Sequence, residues 1–327
     1  MKVLYLNEKN REHLEYLRDN THDDIEIFMI PPEEEEEYIE KAGEVDVLIG
    51  AWVPKKFFEN AGNLKYFIVP FAGIPQKDRK TLEDFPDITV INSHFNASIV
   101  AEHTWAIILA TAKRLCPIHE RMKKGDWTPR YDHWWGTMLK DKELLIVGYG
   151  KVGREIGKIG KAFGMTVRGI KKSPGKAEGI DHLGTNDELC ALLKTADMIV
   201  VTLPHTDETE DYVGEIEFDA MKDGVYLFNV GRGPVVNEEA FYNALKSGKI
   251  AGAGIDTWWI YPPDEESRGC TYPSKYPIHQ FDNVLFSPHR GSHVRERELI
   301  RMDDLADILN SLAGGEEINV VNLERGY

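Results

Sequence analysis

The sequence contains few cysteines and no long apolar run. Only three cysteines occur among its 327 residues, Cys116, Cys190 and Cys270, and they are far apart without the spacing of metal ligands. We therefore expect free thiols in a reducing compartment, the cytoplasm, and no metal site. No run of about 18 apolar residues occurs, so we expect no membrane-spanning helix. Residues 1–7 form a short strand pattern with acidic residues close behind, so we expect no signal peptide.

Positive charge is also scarce. The chain has 39 Lys and Arg residues against 55 Asp and Glu residues, which gives a formal net charge of −16. Nucleic acids and anionic membrane surfaces select positively charged proteins, so this balance argues against both as partners. The acidic run at residues 33–37 follows two prolines and is typical of the first turns of a solvated helix. We assign this run no function.

Short apolar runs alternate with helical patterns along the chain to about residue 290. This alternation predicts βαβ units and a parallel sheet, and the length favours two domains. In the first part of the chain the predicted strands are Val3–Leu6, Val45–Ile49, Tyr66–Val69 and Thr89–Ile91, with helices near Arg11–Asp19, Glu34–Ala42 and Lys55–Asn60.

A long helical pattern at residues 97–113 precedes a second set of predicted strands. A terminal amphipathic helix at residues 297–312 is expected to pack back on the first domain. We therefore predict an α/β protein with two Rossmann-like domains. A doubly wound parallel sheet at residues 98–290 is inserted into a discontinuous flavodoxin-like domain at residues 1–97 and 291–327. The second set of strands is Leu144–Val147, Thr166–Ile170, Met198–Thr202, Tyr226–Val230, Gly252–Asp256 and Val284–Ser287.

A glycine loop at residues 148–153 has the G-x-G-x-x-G pattern of dinucleotide-binding proteins. The pattern alone is weak, but a buried-strand run precedes it, and apolar residues repeat with helical spacing over residues 152–163. Gly148 permits the tight turn, Gly150 lets the backbone approach a pyrophosphate, and Gly153 allows close packing of helix on strand. The helix N-terminus favours the phosphate charge. The loop therefore predicts a nicotinamide dinucleotide cofactor and a dehydrogenase. The domain at residues 98–290 is then the NAD(P)-binding domain, and the domain at residues 1–97 and 291–327 is the substrate domain.

The end of the next strand indicates which dinucleotide binds. A strand that reads the ribose 2′-hydroxyl of NAD ends in Asp or Glu, whereas this one ends in Lys171-Lys172-Ser173. Between residues 151 and 176 eight basic residues stand against one acidic residue, Glu155. A cationic, hydroxyl-bearing strand end suits the additional phosphate of NADP, so we favour NADP over NAD. The alternative, a solvated basic helix face, accounts for Lys158 and Lys161.

Four later strands end in residues with binding or catalytic chemistry. One is followed by Leu203-Pro204-His205, the next by Gly231-Arg232, and the others by Asp256 and His289. Ligands bind beyond the carboxyl ends of the strands in open α/β sheets, so we expect these side chains to converge on the nicotinamide crevice. There Arg232 can bind a carboxylate and polarise a neighbouring carbonyl, and His289 can exchange a proton with its oxygen.

These motifs resemble those of the D-isomer-specific 2-hydroxyacid dehydrogenases over nearly the whole chain. The resemblance implies NAD(P)-dependent reduction of a 2-oxo acid, such as hydroxypyruvate, glyoxylate or a bulkier acid, to a D-2-hydroxy acid. It implies Arg232 as substrate binder, His289 as acid/base, and a homodimer built on the Rossmann domains. The segments that carry it are Asn92-Ser93-His94-Phe95-Asn96-Ala97 with Val100-Ala101-Glu102-His103, Asn229-Val230-Gly231-Arg232-Gly233-Pro234-Val235-Val236-Asn237, Gly252-Ala253-Gly254-Ile255-Asp256 and Ser287-Pro288-His289-Arg290-Gly291.

The resemblance also implies contacts with substrate and cofactor. Backbone N–H groups of Ala72, Gly73 and Ile74 would bind the substrate carboxylate, and Asp256 would lie near the nicotinamide carboxamide. Together with the glycine loop and the strand ends, the predicted cofactor contacts are Tyr149, Gly150, Lys151, Val152, Lys171, Lys172, Ser173, Leu203, Pro204, His205, Thr209, Val230, Gly231, Arg232, Asp256, His289 and Gly291.

One position departs from the family pattern. Five residues after Asp256 the family places a Glu, just before a Pro, to hold the catalytic His, and this chain has Tyr261. A tyrosine hydroxyl can orient His289 but has no negative charge at neutral pH, so we expect His289 to protonate at lower pH than in Glu-containing relatives. Either Tyr261 is the third catalytic residue, or one of the acidic residues 264–266 folds back, or the site has another task.

Two other functions stay open. Formate dehydrogenases also lack that Glu, and Asn96, a substrate contact in those enzymes, and the segment at residues 116–120 resemble theirs. We expect no counterpart of their N-terminal extension, and the basic strand end departs from their NAD-reading Asp. A non-catalytic dinucleotide sensor of the same fold would fit Tyr261, but Arg232 and His289 argue against it.

Five aromatic residues flank the predicted site segments: Tyr131, Trp134, Trp135, Trp258 and Trp259. Such residues commonly fill cores and dimer interfaces. If they line the pocket instead, a bulky or aromatic 2-oxo acid fits better than glyoxylate.

Overall fold

The structure, a computed structural model, describes residues 1–7, 10–172, 175 and 179–323. The chain divides into two compact units, Met1–Asn96 with Val294–Tyr327, and Ala97–His293. The strands and helices follow one another as β1 (Lys2–Leu6), α1 (Arg11–Asp19), β2 (Glu26–Ile30), α2 (Glu35–Glu40), β3 (Val47–Ile49), α3 (Lys55–Asn60), β4 (Tyr66–Val69), α4 (Gln76–Leu82), β5 (Thr89–Asn92), α5 (Ala97–Ala112), α6 (Leu115–Met122), β6 (Glu143–Val147), α7 (Lys151–Ala162), β7 (Thr166–Ile170), β8 (His182–Gly184), α8 (Leu189–Leu193), β9 (Met198–Val201), α9 (Glu215–Ala220), β10 (Val225–Asn229), α10 (Glu238–Lys246), β11 (Ile250–Ile255), β12 (Val284–Phe286) and α11 (Arg297–Ala313).

The first unit contains a five-stranded parallel sheet in the order β2-β1-β3-β4-β5. Its strands are largely buried because helices cover both faces, as parallel sheets require. On one face α1 and α11 pack against alternate strand residues, with Leu17, Met302 and Leu305 in the core. On the other face Tyr38 and Phe57, from α2 and α3, fill the second core. The terminal helix therefore completes the core of the first unit.

The second unit contains a seven-stranded parallel sheet in the order β12-β11-β10-β9-β6-β7-β8. The strand that starts the unit's βαβ series, β6, pairs with β7 on one side and β9 on the other. The strand order therefore reverses beside β6, which is the switch point where ligands bind in such sheets. Both sheets are parallel in every described strand pair, which confirms the predicted α/β fold.

The sequence patterns did not predict two of the strands, β2 and β8. The first, Glu26–Ile30, begins with an exposed Glu directly after an acidic loop, which hides its apolar alternation. The second, His182–Gly184, has three residues at the sheet edge, and only Gly184 is buried. β2 pairs in parallel with β1, and β8 pairs in parallel with β7, so this tertiary pairing rather than a clear sequence pattern makes them strands.

Helix α5 lies in the core of the second unit. It is mostly apolar because it packs between α7 and the strands β10, β11 and β12, and an exposed face with Ser98 and Glu102 remains. The indole N–H of Trp105 donates to the carbonyl of Ile156 at 3.1 Å, which ties α5 to α7. On the side of β11, a Cβ added to Gly254 would lie 2.1 Å from Cγ2 of Ile107. The absence of a side chain at residue 254 therefore permits this close helix–sheet approach.

Two classes of feature are absent from the described residues. No helix among them is long and apolar enough to cross a membrane. No group of three or more His, Cys, Asp or Glu side chains among them is arranged to hold a metal ion.

We predict that Gly254→Ala destabilises the protein by about 1–3 kcal/mol, because the methyl group overpacks the contact between β11 and α5. Gly269→Ala is the matched control, since a Cβ at residue 269 meets no atom within 4 Å. Urea unfolding of both variants measures the difference. Equal midpoints for the two variants would refute this account of the packing.

Candidate active site

The glycine loop joins β6 to α7 at the switch point of the second sheet. Gly148 has φ +102°, a conformation that other residues rarely adopt. The N–H groups of Gly148 and Tyr149 donate to the Ile170 carbonyl at the end of β7, at 3.1 and 2.8 Å. The Thr202 hydroxyl, just after β9, donates to the Gly148 carbonyl at 2.5 Å. The loop is thus held by both strands that flank β6.

The start of α7 has the shape that a pyrophosphate requires. A Cβ at Gly153 would lie 2.7 Å from the Gly148 carbonyl oxygen, whereas a Cβ at Gly150 would meet nothing within 4 Å. Gly150 caps the helix without a side-chain hydrogen bond. The first N–H groups of α7, at Lys151, Val152 and Gly153, have no acceptor within the helix. These residues therefore fit a dinucleotide whose phosphates accept those N–H groups.

The side chain of Tyr149 faces the core. It is 2% exposed, and it lies against Gly157 and Gly169, where a Cβ would clash with its ring. The predicted contact of Tyr149 with the cofactor therefore depends on backbone atoms.

The basic segment after the glycine loop is partly neutralised. Four of its eight basic residues form ion pairs, while Lys151, Arg154 and Lys171 form none within the described part of the chain. Lys171 and Lys172 directly follow β7, as predicted, whereas Ser173 and Lys176 lie outside the described residues. The local charge available to a phosphate is therefore smaller than the sequence count. The pairs are Lys158–Glu155 at 2.6 Å, Lys161–Asp181 at 2.8 Å, Arg168–Glu143 at 3.0 Å and Lys172–Glu208 at 2.5 Å.

The loop after β9 carries the predicted contacts Leu203, Pro204, His205 and Thr209. The Thr209 hydroxyl donates to the Pro204 carbonyl at 2.6 Å and accepts the Thr206 N–H at 2.8 Å. Leu203 is half-buried next to Gly148, and Pro204 and His205 are exposed. Thr209 therefore shapes a turn that leaves the residues before it open at the carboxyl end of the sheet.

Arg232 stands on a rigid turn after β10. The buried Asn229 side chain accepts the Gly231 N–H at 3.1 Å and donates to the Arg232 carbonyl at 3.0 Å. On the far side of Arg232, a Cβ at Gly233 would lie 2.2 Å from the Trp258 carbonyl oxygen. The Arg232 side chain itself is exposed, with Nη1 donating to the Gly231 carbonyl at 2.7 Å. The backbone of this turn is therefore fixed, while the guanidinium keeps further N–H donors for a ligand.

Asp256 organises the segment that carries the catalytic candidate His289. Its carboxylate is 2% exposed and accepts the N–H groups of Arg290 at 2.8 Å and Gly291 at 2.9 Å. The Ser287 hydroxyl also donates to it, and His103 Nε2 lies 2.9 Å from that hydroxyl oxygen. Burial raises the pKa of Asp256, but the hydrogen bonds from His103, Ser287, Arg290 and Gly291 outweigh it and lower the pKa to about 2. The carboxylate therefore stays ionised.

Sequence patterns alone do not indicate that His103 and Ser287 support Asp256. His103 belongs to a family-like motif on α5, but its partners are far along the chain, so no local pattern connects them. The interpretation of Asp256 as a nicotinamide contact stays a prediction.

His289 adopts a left-handed backbone conformation, with φ +55°. This region costs a residue with a side chain about 1–3 kcal/mol, and it persists only where neighbouring contacts impose it. Here the His289 N–H donates to the Ser287 carbonyl at 3.0 Å, and Asp256 holds the two residues that follow. The strain sets the direction of the imidazole.

Tyr261 lies against His289. Its hydroxyl oxygen is 3.0 Å from His289 Nδ1, and it accepts the Trp258 N–H at 3.1 Å. The tyrosine hydroxyl can donate to an unprotonated Nδ1, and its oxygen can accept an Nδ1–H beside the Trp258 N–H, so the hydrogen bond forms in either protonation state of the imidazole. Two of the three acidic alternatives have other partners: Asp264 accepts the Ser267 N–H, and Glu265 pairs with Arg268. The third, Glu266, is exposed, and Tyr261 is the side chain that bonds His289 among the described residues.

Both members of this pair are neutral near pH 7. Burial lowers the pKa of His289, and the charges of Arg232 and His293 lower it further against the opposing effect of Asp256. Burial likewise raises the pKa of Tyr261, although the Trp258 N–H and Arg232 oppose this. The lowered pKa of His289 has the direction expected for a site in which Tyr261 replaces the Glu of the family pattern.

The aromatic residues divide into two groups. Trp258 is buried, stacks on Phe286 at 5.1 Å and donates its indole N–H to the Ser287 carbonyl at 2.8 Å. Trp259 donates to the Val236 carbonyl at 2.8 Å. These two side chains support the site from the core. Tyr131 and Trp135 are 77% and 75% exposed, and the ring of Trp134 lies under the guanidinium of Arg121.

The predicted substrate contacts in the first unit follow its strands. Ala72, Gly73 and Ile74 come after β4, and the Ala72 carbonyl accepts the Asn92 side-chain N–H at 2.7 Å. Asn96 directly precedes α5. Their binding of substrate stays a prediction. The sequence did not single out Trp52, which has φ +56° because the buried carboxylate of Asp78 accepts the N–H groups of residues 52 and 53.

We predict that Asp256→Asn destabilises the protein by about 2–3 kcal/mol, because a buried charged acceptor of several N–H and O–H groups is lost. Asp282→Asn, an exposed carboxyl just before β12, serves as the control for loss of one charge. Urea unfolding provides the free energies. A variant as stable as the control would mean that Asp256 does not hold the His289 segment.

Comparison with known proteins agrees with this geometry. Residues 105–291 match the family described as D-isomer specific 2-hydroxyacid dehydrogenase, NAD binding domain. The chain is 30% identical over 328 residues to D-3-phosphoglycerate dehydrogenase of Archaeoglobus fulgidus. This match covers 99% of this chain and 59% of that protein. It is 31% identical over 298 residues to hydroxypyruvate reductase of Thermotoga maritima, covering 88% of each. The chain thus spans little more than half the length of the Archaeoglobus relative.

A solved structure of an acyclic imino acid reductase in complex with NADPH and D-Arg matches with a TM-score of 0.75 and 26% identity. The match covers 98% of this chain and 100% of that one. The glycine loop, the Arg turn, the buried Asp and the His segment all lie in the unit that matches an NAD-binding domain. This match confirms the predicted nicotinamide dinucleotide cofactor, while the individual contact residues stay a prediction. The protein belongs to the family of D-isomer specific 2-hydroxyacid dehydrogenases.

Proposed function

We propose that this protein is an NAD(P)-dependent oxidoreductase that reduces a 2-oxo acid to a D-2-hydroxy acid. The observation that carries the proposal is the His289–Tyr261 hydrogen bond of 3.0 Å, close to the charge of Arg232. These three residues follow β12, β11 and β10, which are neighbours in the sheet. A proton donor and an anion-binding cation therefore stand at one edge of a dinucleotide-binding unit.

Arg232 binds and polarises the substrate in this proposal. Its guanidinium can form paired hydrogen bonds with the carboxylate and can donate to the adjacent carbonyl oxygen, where negative charge develops during reduction. The fixed turn around Asn229 and Gly233 keeps the guanidinium in reach without ordering the backbone at each turnover.

His289 supplies the proton. A reduced nicotinamide, when bound, provides the hydride that reaches the carbonyl carbon, and the carbonyl oxygen then needs one proton. The imidazolium donates it from Nε2 and becomes neutral, while Nδ1 keeps its hydrogen bond with the Tyr261 hydroxyl. In the reverse direction the neutral imidazole takes the proton of the 2-hydroxy group. Tyr261 keeps the ring in one orientation in both protonation states.

The finer assignments extend this proposal. We propose NADP as the preferred cofactor on the basis of Lys171 and Lys172 after β7, and the acyclic imino acid reductase was solved with NADPH. The core positions of Trp258 and Trp259 leave no argument from them for a bulky substrate, so hydroxypyruvate and glyoxylate are the first choices. The names of two relatives, hydroxypyruvate reductase and glyoxylate reductase, support them.

We also propose a homodimer formed through the second unit. Large apolar side chains are exposed on one segment of that unit, and contiguous exposed apolar surface marks an interaction site. The three free cysteines fit the proposed cytoplasmic location. The exposed side chains are Leu115, Met122, Trp127, Tyr131, Trp135 and Met138.

The central experiment follows NADPH absorbance with glyoxylate, hydroxypyruvate, pyruvate and phenylpyruvate. We expect turnover with at least one acid, and a loss of kcat/KM of about 10²–10⁴-fold in His289→Gln because the proton donor is removed. Arg232→Gln should lose about 10²–10³-fold. His279→Gln, an exposed histidine of the same unit, is the control and should retain activity. Tight NADPH binding without turnover would support a dinucleotide sensor instead, and oxidation of formate with NAD⁺ would support a formate dehydrogenase.

A second experiment tests the histidine–tyrosine pair. Reduction needs the imidazolium, so kcat/KM should fall as pH rises through the His289 pKa, which burial and Arg232 hold below its usual value. Tyr261→Glu should move this fall to higher pH, because a carboxylate beside Nδ1 raises the pKa. Tyr261→Phe should lower kcat without that alkaline shift. A wild-type apparent pKa near 8, or no shift in the Glu variant, would refute the pair.

A further inference from the structure

One ion pair of the second unit spans the cofactor loop. Lys172 lies just after β7, Glu208 lies on the loop after β9, and the ammonium and carboxylate are 2.5 Å apart. In the sheet, β6 lies between β7 and β9, so the pair passes across the carboxyl end of β6. That end carries the glycine loop at residues 148–153, which is held by those same two strands.

The other ion pairs of the basic segment have structural positions. Lys158 and Glu155 are one turn apart on α7. Asp181 also accepts the Val167 N–H, so its pair with Lys161 anchors β7. Arg168 joins β7 to Glu143 of β6. Of the four pairs, only Lys172–Glu208 connects two loops at the edge of the sheet where a dinucleotide binds.

This pair can open at little cost. The side chains of Lys172 and Glu208 are 46% and 66% exposed, and exposed ion pairs contribute little to stability. Neighbouring strands lie about 4.8 Å apart, so β7 and β9 are separated by about 10 Å and a bound nucleoside has to pass between or beneath their loops. A ligand with a stronger anion can therefore take Lys172 from Glu208.

We propose that Glu208 is a specificity-determining residue that sets the preference between NADPH and NADH by holding Lys172. A ribose 2′-phosphate carries up to two negative charges and three acceptor oxygens, so it replaces the carboxylate as the partner of Lys172, with Lys171 beside it. NADH has only a 2′-hydroxyl at this position and leaves the Lys172–Glu208 pair closed. Glu208 therefore weakens NADPH binding by competing for its lysine. The inference rests on the proposed cofactor site.

The test is a double-mutant cycle read by binding rather than by turnover. Dissociation constants of NADPH, NADH and adenosine 2′,5′-bisphosphate are measured by calorimetry for wild type, Glu208→Gln, Lys172→Gln and the double variant. Glu208→Gln should tighten NADPH and the bisphosphate about two- to fivefold, the size of an exposed ion pair, and leave NADH within twofold. Lys172→Gln should weaken binding of the two ligands that carry a 2′-phosphate, NADPH and the bisphosphate, about tenfold or more.

The cycle separates the ion pair from a general charge effect. In the Lys172→Gln background, Glu208→Gln should no longer change the ratio of NADPH to NADH affinity. Asp207→Asn removes a charge from the adjacent residue and leaves the pair intact, so it should not change that ratio. An effect of Glu208→Gln that persists without Lys172, or that Asp207→Asn reproduces, would overturn the proposal.

Failure of the proposed function has a different signature. If wild type binds neither dinucleotide, the cofactor site itself is wrong. If wild type binds both and Glu208→Gln leaves their affinity ratio unchanged, the cofactor site stands and only the role of Glu208 is refuted. Thermal unfolding of each variant checks that the folded protein is being compared, and both side chains are exposed enough for substitution to leave the core intact.

Discussion

The buried carboxylate of Asp256 is the interaction on which the site depends. It accepts hydrogen bonds from Ser287 and from the N–H groups that follow His289, so one ion holds a backbone segment in a conformation that His289 would not adopt alone. The hydrogen bonds keep it ionised despite burial, with a pKa of about 2. A buried charge is stable only when so completely partnered, and those partners are the residues that position the imidazole.

Around this ion, small residues bring the other strand ends close. Gly233 allows the Arg232 turn to contact the Trp258 backbone, and the Trp258 N–H in turn binds the hydroxyl of Tyr261. The Arg turn, the aromatic loop and the His segment are therefore parts of one packed assembly. In it the imidazole meets a neutral hydroxyl rather than a carboxylate, so Tyr261 adds no negative charge against the burial and the Arg232 charge that lower the pKa of His289.

Much of the fold could be predicted from the sequence, because buried apolar residues recur with the period of a helix or form the short runs typical of strands. The run at residues 144–147 and the glycines after it identified β6 and the turn to α7, and the apolar terminal pattern identified α11. The short strand β8 was missed because pairing with β7, not its own residues, makes it a strand. Local charge was also misleading: the basic residues after the glycine loop were counted singly, whereas Asp181, Glu143 and Glu208, distant in sequence, neutralise three of them.

The sequence by itself determined the family, the α/β fold, the nicotinamide dinucleotide loop and the identity of the residues at the strand ends. Each of these depends on a local pattern, a strand followed by a turn with particular side chains. Only the tertiary structure decided which of Tyr261, Asp264 and Glu265 stands against His289, that Trp258 and Trp259 belong to the core, and that His103 and Ser287 support Asp256. Those facts depend on distances between residues far apart in the chain, and such distances are set by packing, which no local pattern records.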